Sequence, residues 1–291
     1  MMLYLYVGEI YMKNIIYKHK NWTIVDSKIS EWYEDWKRIY QHNKNTRVSR
    51  QMYLYRLVCE KSARDFFLSN FYKGAEECLR ARIEINEAFL KKLNSKKHKR
   101  MTEVQLKGEI LVAEAEITHS KWLLSEIDDE LFIRNTIKVH EFRCENTLKK
   151  TELKRYRNQL IIDYLMIGDF KKAAELNKIQ FTGKITKLSV EDIYKRDKFF
   201  YILTEYLIDP ISYRVYEQPI KECFFYFFDE LLKGNQNLYA YDKYNEESFI
   251  EFMPYIWYKY FSEIPFEQIK PADIIKCRRY GIIGIHCDKT E

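Results

Sequence analysis

Apolar residues recur along most of this chain at intervals of three and four, the spacing of helices buried on one face. The clearest stripe is Ile29, Trp32, Tyr33, Trp36, Ile39 and Tyr40, set opposite Glu31, Glu34, Asp35 and Lys37. It predicts a helix capped by Asp26 or Ser27 and ended by the polar run from His42 to Arg47. Further helices are expected at about 49–67, 73–93, 102–124 and 128–149, the last capped by Asp128. Ala113, Ala115, Ile117 and Trp122 supply close-packing positions in the first of the latter two, and Leu131, Ile133, Ile137, Val139 and Phe142 form the expected buried set of the second. Between Leu160 and Leu176 two short helices meet at a tight Gly168-Asp169 turn. A helix at about 190–207 is stopped by Asp209-Pro210, because a residue before proline is pushed away from helical geometry. The segment 211–232 reads as helical with an interruption at Pro219, and its Phe224 to Phe228 cluster implies burial on more than one side. Helices at about 246–261 and 272–280 complete the pattern.

The offsets of Leu160, Tyr164, Gly168, Phe170 and Ala173 resemble those of a tetratricopeptide-type helical hairpin. In that motif an aromatic ring fills the groove, glycine relieves the turn and a small alanine admits the second helix. Ala63, Phe66, Tyr72, Ala75 and Leu79 repeat the spacing in degenerate form. The expected fold is therefore all-α: antiparallel helical hairpins in a tetratricopeptide-like or irregular array. It would form a single domain over residues 26–291, weakest at about 182–190. Residues 1–25 read as an N-terminal extension, in which the polar opening Met12, Lys13, Asn14 makes Met12 an alternative start.

Composition supports the same class. Eight Gly and 5 Pro against 24 Tyr, 18 Phe and 5 Trp leave few turn residues for a strand-rich fold and many bulky ones for packing. The six cysteines are scattered with no Cys-x-x-Cys pair, which favours reduced thiols in a cytoplasmic protein. The start lacks a basic leader and a small-residue cleavage site, and no apolar run approaches the roughly 20 residues that span a bilayer. A net charge of +6, from 49 basic and 43 acidic residues, is mild, and a nucleic-acid binder would show a stronger or more clustered excess. The densest basic run, Lys96 to Arg100, falls where a solvated connection is expected and has no aromatic or glycine-rich companion.

No motif for catalysis stands out. The chain has no Gly-x-Ser-x-Gly elbow, phosphate-binding glycine loop, dinucleotide fingerprint or His-Glu-x-x-His. His140 and Cys144 share a helical face, and Cys277, His286 and Cys287 cluster near the C-terminus, but neither set has the spacing of a four-ligand zinc site. No cofactor or metal is expected. The acid pairs Glu76-Glu77, Asp128-Asp129 and Glu246-Glu247 sit at expected helix starts or on polar faces, where carboxylates are ordinary. The Tyr-rich stretch from Leu238 to Asn245 is different, because its rings alternate with polar residues outside the helical period. Such tyrosines either supply stiff, amphipathic contact area or fold back over neighbouring helices. Tyr239, Tyr241, Asp242, Tyr244 and Glu246 are thus the candidate partner-binding residues.

The helix carrying Ala113 and Ala115, the Tyr164 to Ala173 hairpin, and the ending Arg278, Arg279, Tyr280, Gly281 before a short acidic-ended tail resemble the all-α immunity proteins of bacterial polymorphic toxin systems, of the immunity-protein-49 type. That resemblance implies an intracellular antitoxin that binds and blocks a cognate protein toxin without catalysis. The mildly basic charge points away from a nuclease with a cationic active site as the target. The alternative is a helical-repeat regulator that binds protein or nucleic acid, also without catalysis.

Overall fold

The computed structural model describes residues 29–46, 49–95, 101–181, 196–232 and 246–274. These residues are all-α, with no strand among them. The helices are α1 (Ile29–Asn43), α2 (Ser49–Leu68), α3 (Tyr72–Ser95), α4 (Glu103–Leu123), α5 (Asp129–Asn146), α6 (Lys150–Ile167), α7 (Phe170–Gln180), α8 (Arg196–Ile208), α9 (Glu217–Leu232) and α10 (Glu246–Tyr260). Two short 3-10 turns, Arg214–Tyr216 and Phe266–Gln268, lie among them. The chain divides into two compact units, Met1–Asn135 and Thr136–Glu291.

In the first unit α2 packs on α1 and α3, and α3 packs on α4. Trp36 and Ile39 of the first stripe are buried, and Tyr33 lies edge-on against Phe66 and Phe71 while its hydroxyl donates to Glu77 Oε2 at 2.7 Å. The α4 N-terminus follows from its sequence: Thr102 accepts from Gln105 N while the Gln105 side chain accepts from Thr102 N, so two orphan amide groups are satisfied reciprocally. Ala113 and Trp122 are buried as expected, whereas Ala115 and Ile117 are half-buried. On α5 the expected core residue Leu131 is 46% exposed and Phe132 is buried in its place, stacked on Trp122 with ring centroids 4.5 Å apart. Trp122 decides that choice, because its Nε1 donates to Asp129 Oδ1 at 2.6 Å and so fixes which side of α5 faces inward.

In the second unit α6 is the central helix. Every residue from Asn158 to Met166 is buried, including both of its faces, and α7 and α10 pack against it. Its C-terminal carbonyls are satisfied by α10: Lys259 Nζ donates to Met166 O, and Tyr260 Oη donates to Leu165 O at 2.7 Å. The expected hairpin is present. Gly168 has φ +82, Gly168 N donates to Leu165 O and Asp169 N donates to Tyr164 O, a left-handed cap that releases the chain into α7. A Cβ on Gly168 would find its nearest neighbour 3.8 Å away, so the dihedral, not crowding, is what calls for glycine here.

The same turn occurs between α2 and α3. Asn70 has φ +57, Asn70 N donates to Phe67 O, Phe71 N donates to Phe66 O, and Ala75 N donates to Phe71 O. Each bond has its counterpart at the Gly168 turn, down to Ala173 N on Asp169 O, and both buried alanines follow the left-handed residue by the same interval. The degenerate spacing seen in the sequence is thus matched in turn geometry, with asparagine in glycine's role. Tyr72 is the exception, being 48% exposed.

One expectation near the C-terminus is corrected. Pro219 does not interrupt a helix; it lies in the first turn of α9, where its missing N–H has no helical carbonyl to meet. In the aromatic cluster that follows, Phe224 is fully buried among Phe199, Trp257 and Phe261 and Phe225 packs on Trp257, while Tyr226 is 43% exposed; the side chains of Phe227 and Phe228 lie outside the description. The caps at Asp26 and Ser27, the Lys96 to Arg100 run and the connection at 182–190 lie outside the described residues.

Candidate functional site

Two buried polar centres and one exposed ridge hold the chemistry that the described residues bring together. The first centre joins α2, α3 and α4. Arg56, Arg64 and Arg82 are each almost fully buried, at 3–4% exposure, which a cationic side chain tolerates only when paired. Arg82 Nη2 donates to Glu60 Oε2 at 2.9 Å and its Nη1 lies 3.2 Å from His119 Nδ1. Arg56 Nη1 donates to Asn86 Oδ1 at 3.0 Å, its guanidinium lies over the Phe89 ring, and Asn86 in turn donates to Arg82 O. Glu116 reaches in from α4, with Oε2 3.6 Å from Arg56 Nε and 4.0 Å from Arg82 Nε. Two carboxylates, Glu60 and Glu116, stand among the three guanidinium groups, so the centre works as a polar clasp between three helices.

The second centre joins α5 and α6. His140 Nδ1 lies 2.6 Å from Asp163 Oδ2, and one residue further along both helices Tyr164 Oη donates to Glu141 Oε1 at 2.6 Å. Burial raises the Asp163 carboxyl above its usual range, and His140 draws it part of the way back. Cys144, one turn beyond His140, is half-buried and its thiol is pushed up to about 11 by burial, the reverse of what a thiolate ligand or nucleophile needs. Among the described residues no group of three or more His, Cys, Asp or Glu side chains comes together to hold a metal ion. Cys277, His286 and Cys287 lie outside them.

Two of the three acid pairs have structural occupations. Glu76 pairs with Arg80, Glu77 accepts from Tyr33, Asp128 caps α5 by accepting from Leu131 N at 2.7 Å, and Asp129 holds Trp122. Of the candidate partner-binding residues, Tyr239, Tyr241, Asp242 and Tyr244 lie outside the described residues. Glu246 is the first residue of α10, and its side chain is likewise outside the description.

The ridge lies where α8 passes into α9. Ile208, Ile211 and Val215 are 48%, 89% and 60% exposed, on a connection stiffened by hydrogen bonds from Tyr213 N to Asp209 O and from Tyr216 N to Tyr213 O. The Tyr213 and Tyr216 rings lie 6.0 Å apart beside them. The Ser212 side chain, and then Ser212 N, which donates to Asp209 Oδ1 at 3.0 Å, lower the Asp209 carboxyl below the ordinary range, and Lys221 does the same for Glu217. Between positions 205 and 222 four carboxylates, Glu205, Asp209, Glu217 and Glu222, face two cations, Arg214 and Lys221. This stretch is therefore locally acidic on a chain that is basic overall.

Sequence reasoning passed over both the clasp and the ridge. The spacing of Arg56, Glu60 and Arg64 by four along α2 was the available signal for the first, and apolar residues on both sides of Asp209-Pro210 for the second.

No protein-family model matches the chain, and no curated protein or solved structure does either. No helix among the described residues is long and apolar enough to cross a membrane.

Proposed function

We propose that this protein is a non-catalytic binding protein of the immunity type, an intracellular antitoxin that occludes a cognate protein toxin. The observation that carries the reading is the exposed Ile208, Ile211 and Val215 ridge with its ionised acidic rim. Large exposed apolar side chains within one short, hydrogen-bonded connection, interspersed along the chain with charged residues, are the makings of a protein contact. The rim suits a partner with basic residues around an apolar centre. The Tyr239, Tyr241, Asp242, Tyr244 and Glu246 stretch remains the second contact assigned from sequence.

The test is protection of cells from the product of the neighbouring toxin gene, together with direct binding, for Ile211→Glu and for the pair Tyr241→Ala and Tyr244→Ala. Loss of tenfold or more in affinity, about 1.4 kcal/mol, with unchanged melting temperature is the expected result for Ile211→Glu. Full protection by both variants would refute the assignment of these surfaces. Absence of any protective effect by the wild type would refute the function, and binding to nucleic acid that falls steeply with salt would replace it with the regulator.

A further inference from the structure

Two exposed stretches of the second unit carry opposite charge beside apolar side chains, and neither is covered by its own chain. One is the ridge of Ile208, Ile211 and Val215, interspersed along the chain with Glu205, Asp209, Glu217 and Glu222. The other is the tip between α5 and α6, where Leu148 is 100% exposed and the exposed Lys149 and Lys150 follow it directly. Over residues 149–157 five cations, Lys149, Lys150, Lys154, Arg155 and Arg157, stand against one carboxylate, Glu152, and Lys149 Nζ already pairs with it at 3.1 Å. Some of the charge behind the tip is held in place. The Arg143 and Arg155 guanidinium groups, one from each helix, lie 5.4 Å and 4.7 Å from the centroid of the Tyr156 ring, and Arg155 Nη2 donates to Tyr156 Oη at 2.9 Å.

Charge decides how these stretches can pair. Ridge on ridge would set carboxylates against carboxylates, and tip on tip would set lysines against lysines, both of which cost binding energy. Tip on ridge sets lysines against carboxylates and gives Leu148 three aliphatic side chains to meet. We propose that, in the protein alone, the ridge is occupied by the α5–α6 tip of a second copy of this chain. Such a contact is heterologous: a pair of copies joined by it keeps one free tip and one free ridge, so it adds further copies as a ring or a chain and does not stop at a symmetric dimer. The inference stands on exposure and charge, independently of the antitoxin reading. It shares the ridge with that reading, so a toxin that covers the ridge would release the copies from one another.

The test is sedimentation velocity of the full chain, alone in solution, over a concentration series at low and high salt. The wild type should sediment faster as concentration rises at low salt, and return to the monomer rate as salt screens the charges. The tip variant, Lys149→Glu with Lys150→Glu, and the ridge variant, Ile211→Glu, should each sediment as monomers at every concentration. Acids at the start of α6 suit a helix N-terminus, so the tip variant should fold, which circular dichroism checks. Leu148→Asp, at a fully exposed position, takes its place if it does not. An equal mixture of the two variants is decisive, because the intact tip of one can meet the intact ridge of the other only once. It should form one-to-one dimers and nothing larger. A wild type that is monomeric throughout, association that survives in either variant, or a mixture that stays monomeric would each overturn the proposal. No toxin enters the measurement, so its failure is separate from failure of the antitoxin reading.

Discussion

Replacing Gly74 with alanine should destabilise the protein, although helix propensity alone predicts the opposite sign. Gly74 lies in the first turn of α3, where alanine is ordinarily better than glycine by up to about 1 kcal/mol. Packing outweighs that gain. A Cβ at Gly74 would stand 2.4 Å from Phe71 Cε1, 2.5 Å from Phe71 Cδ1 and 3.0 Å from Phe66 Cδ2, against an ordinary carbon–carbon contact of about 3.5–4.0 Å. The Phe71 ring must therefore move by about an ångström or more. It is not free to do so at no cost, because it meets Tyr33 at 5.0 Å and Phe66 at 5.5 Å between centroids, both edge-on. Such ring pairs contribute about 0.5–1.5 kcal/mol each, and overpacking a well-filled site costs about 1–3 kcal/mol. The expected net loss is about 1–2 kcal/mol, read from urea unfolding followed by circular dichroism. The same substitution in a Phe71→Ala background should be neutral or stabilising, because the ring that obstructs the Cβ is gone. A Gly74→Ala protein more stable than the wild type, or an equal effect in both backgrounds, would refute this account of the turn.

Ala173, fully buried on α7, should not accept leucine: Ala173→Leu is expected to cost about 1–3 kcal/mol by overpacking the hairpin, and an unchanged melting temperature would contradict that contact. Arg82→Met removes the cation shared by Glu60 and Glu116 and should cost about 3 kcal/mol in urea unfolding, with the loss reduced in an Arg82→Met, Glu60→Gln, Glu116→Gln triple variant. Burial raises the Tyr260 phenol to about 12 from an ordinary value of 10.0. Between those two values the unfolded chain has lost the proton that the folded chain keeps, so the unfolded state binds fewer protons and stability falls as pH rises. The stability difference between wild type and Tyr260→Phe should accordingly be constant below pH 10.0 and shrink from there to about 12; a difference independent of pH over that range would count against the buried phenol.

The class of fold was legible because helical periodicity is local. A stripe such as Tyr33, Trp36 and Ile39 needs only the 3.6-residue repeat to declare its inner face, and Gly168-Asp169 needs only local dihedral preference to declare a turn. The helix start capped by Asp128 was legible for the same reason. Asn70 was harder, since asparagine in a left-handed cap looks like any polar loop residue until Phe71 N is seen to bond Phe66 O.

Contacts between helices belong to another scale. Leu131 and Phe132 compete for one inward position, and only the bond from Trp122 to Asp129 settles it in favour of Phe132. Arg56, Arg82, Glu60 and Glu116 are ordinary helix-surface residues by sequence, and pairing across α2, α3 and α4 is what makes them a buried centre. The exposure of Ile211 and Val215 is likewise a property of how α8 turns into α9. Local repeat and turn chemistry set which segments are helices and where they bend, because those energies act over one or two turns of chain. Tertiary structure alone decided which charges are buried and which apolar side chains face outward, because burial depends on neighbours 20 to 60 residues away in sequence, as from Arg82 to Glu60 and from Arg56 to Glu116.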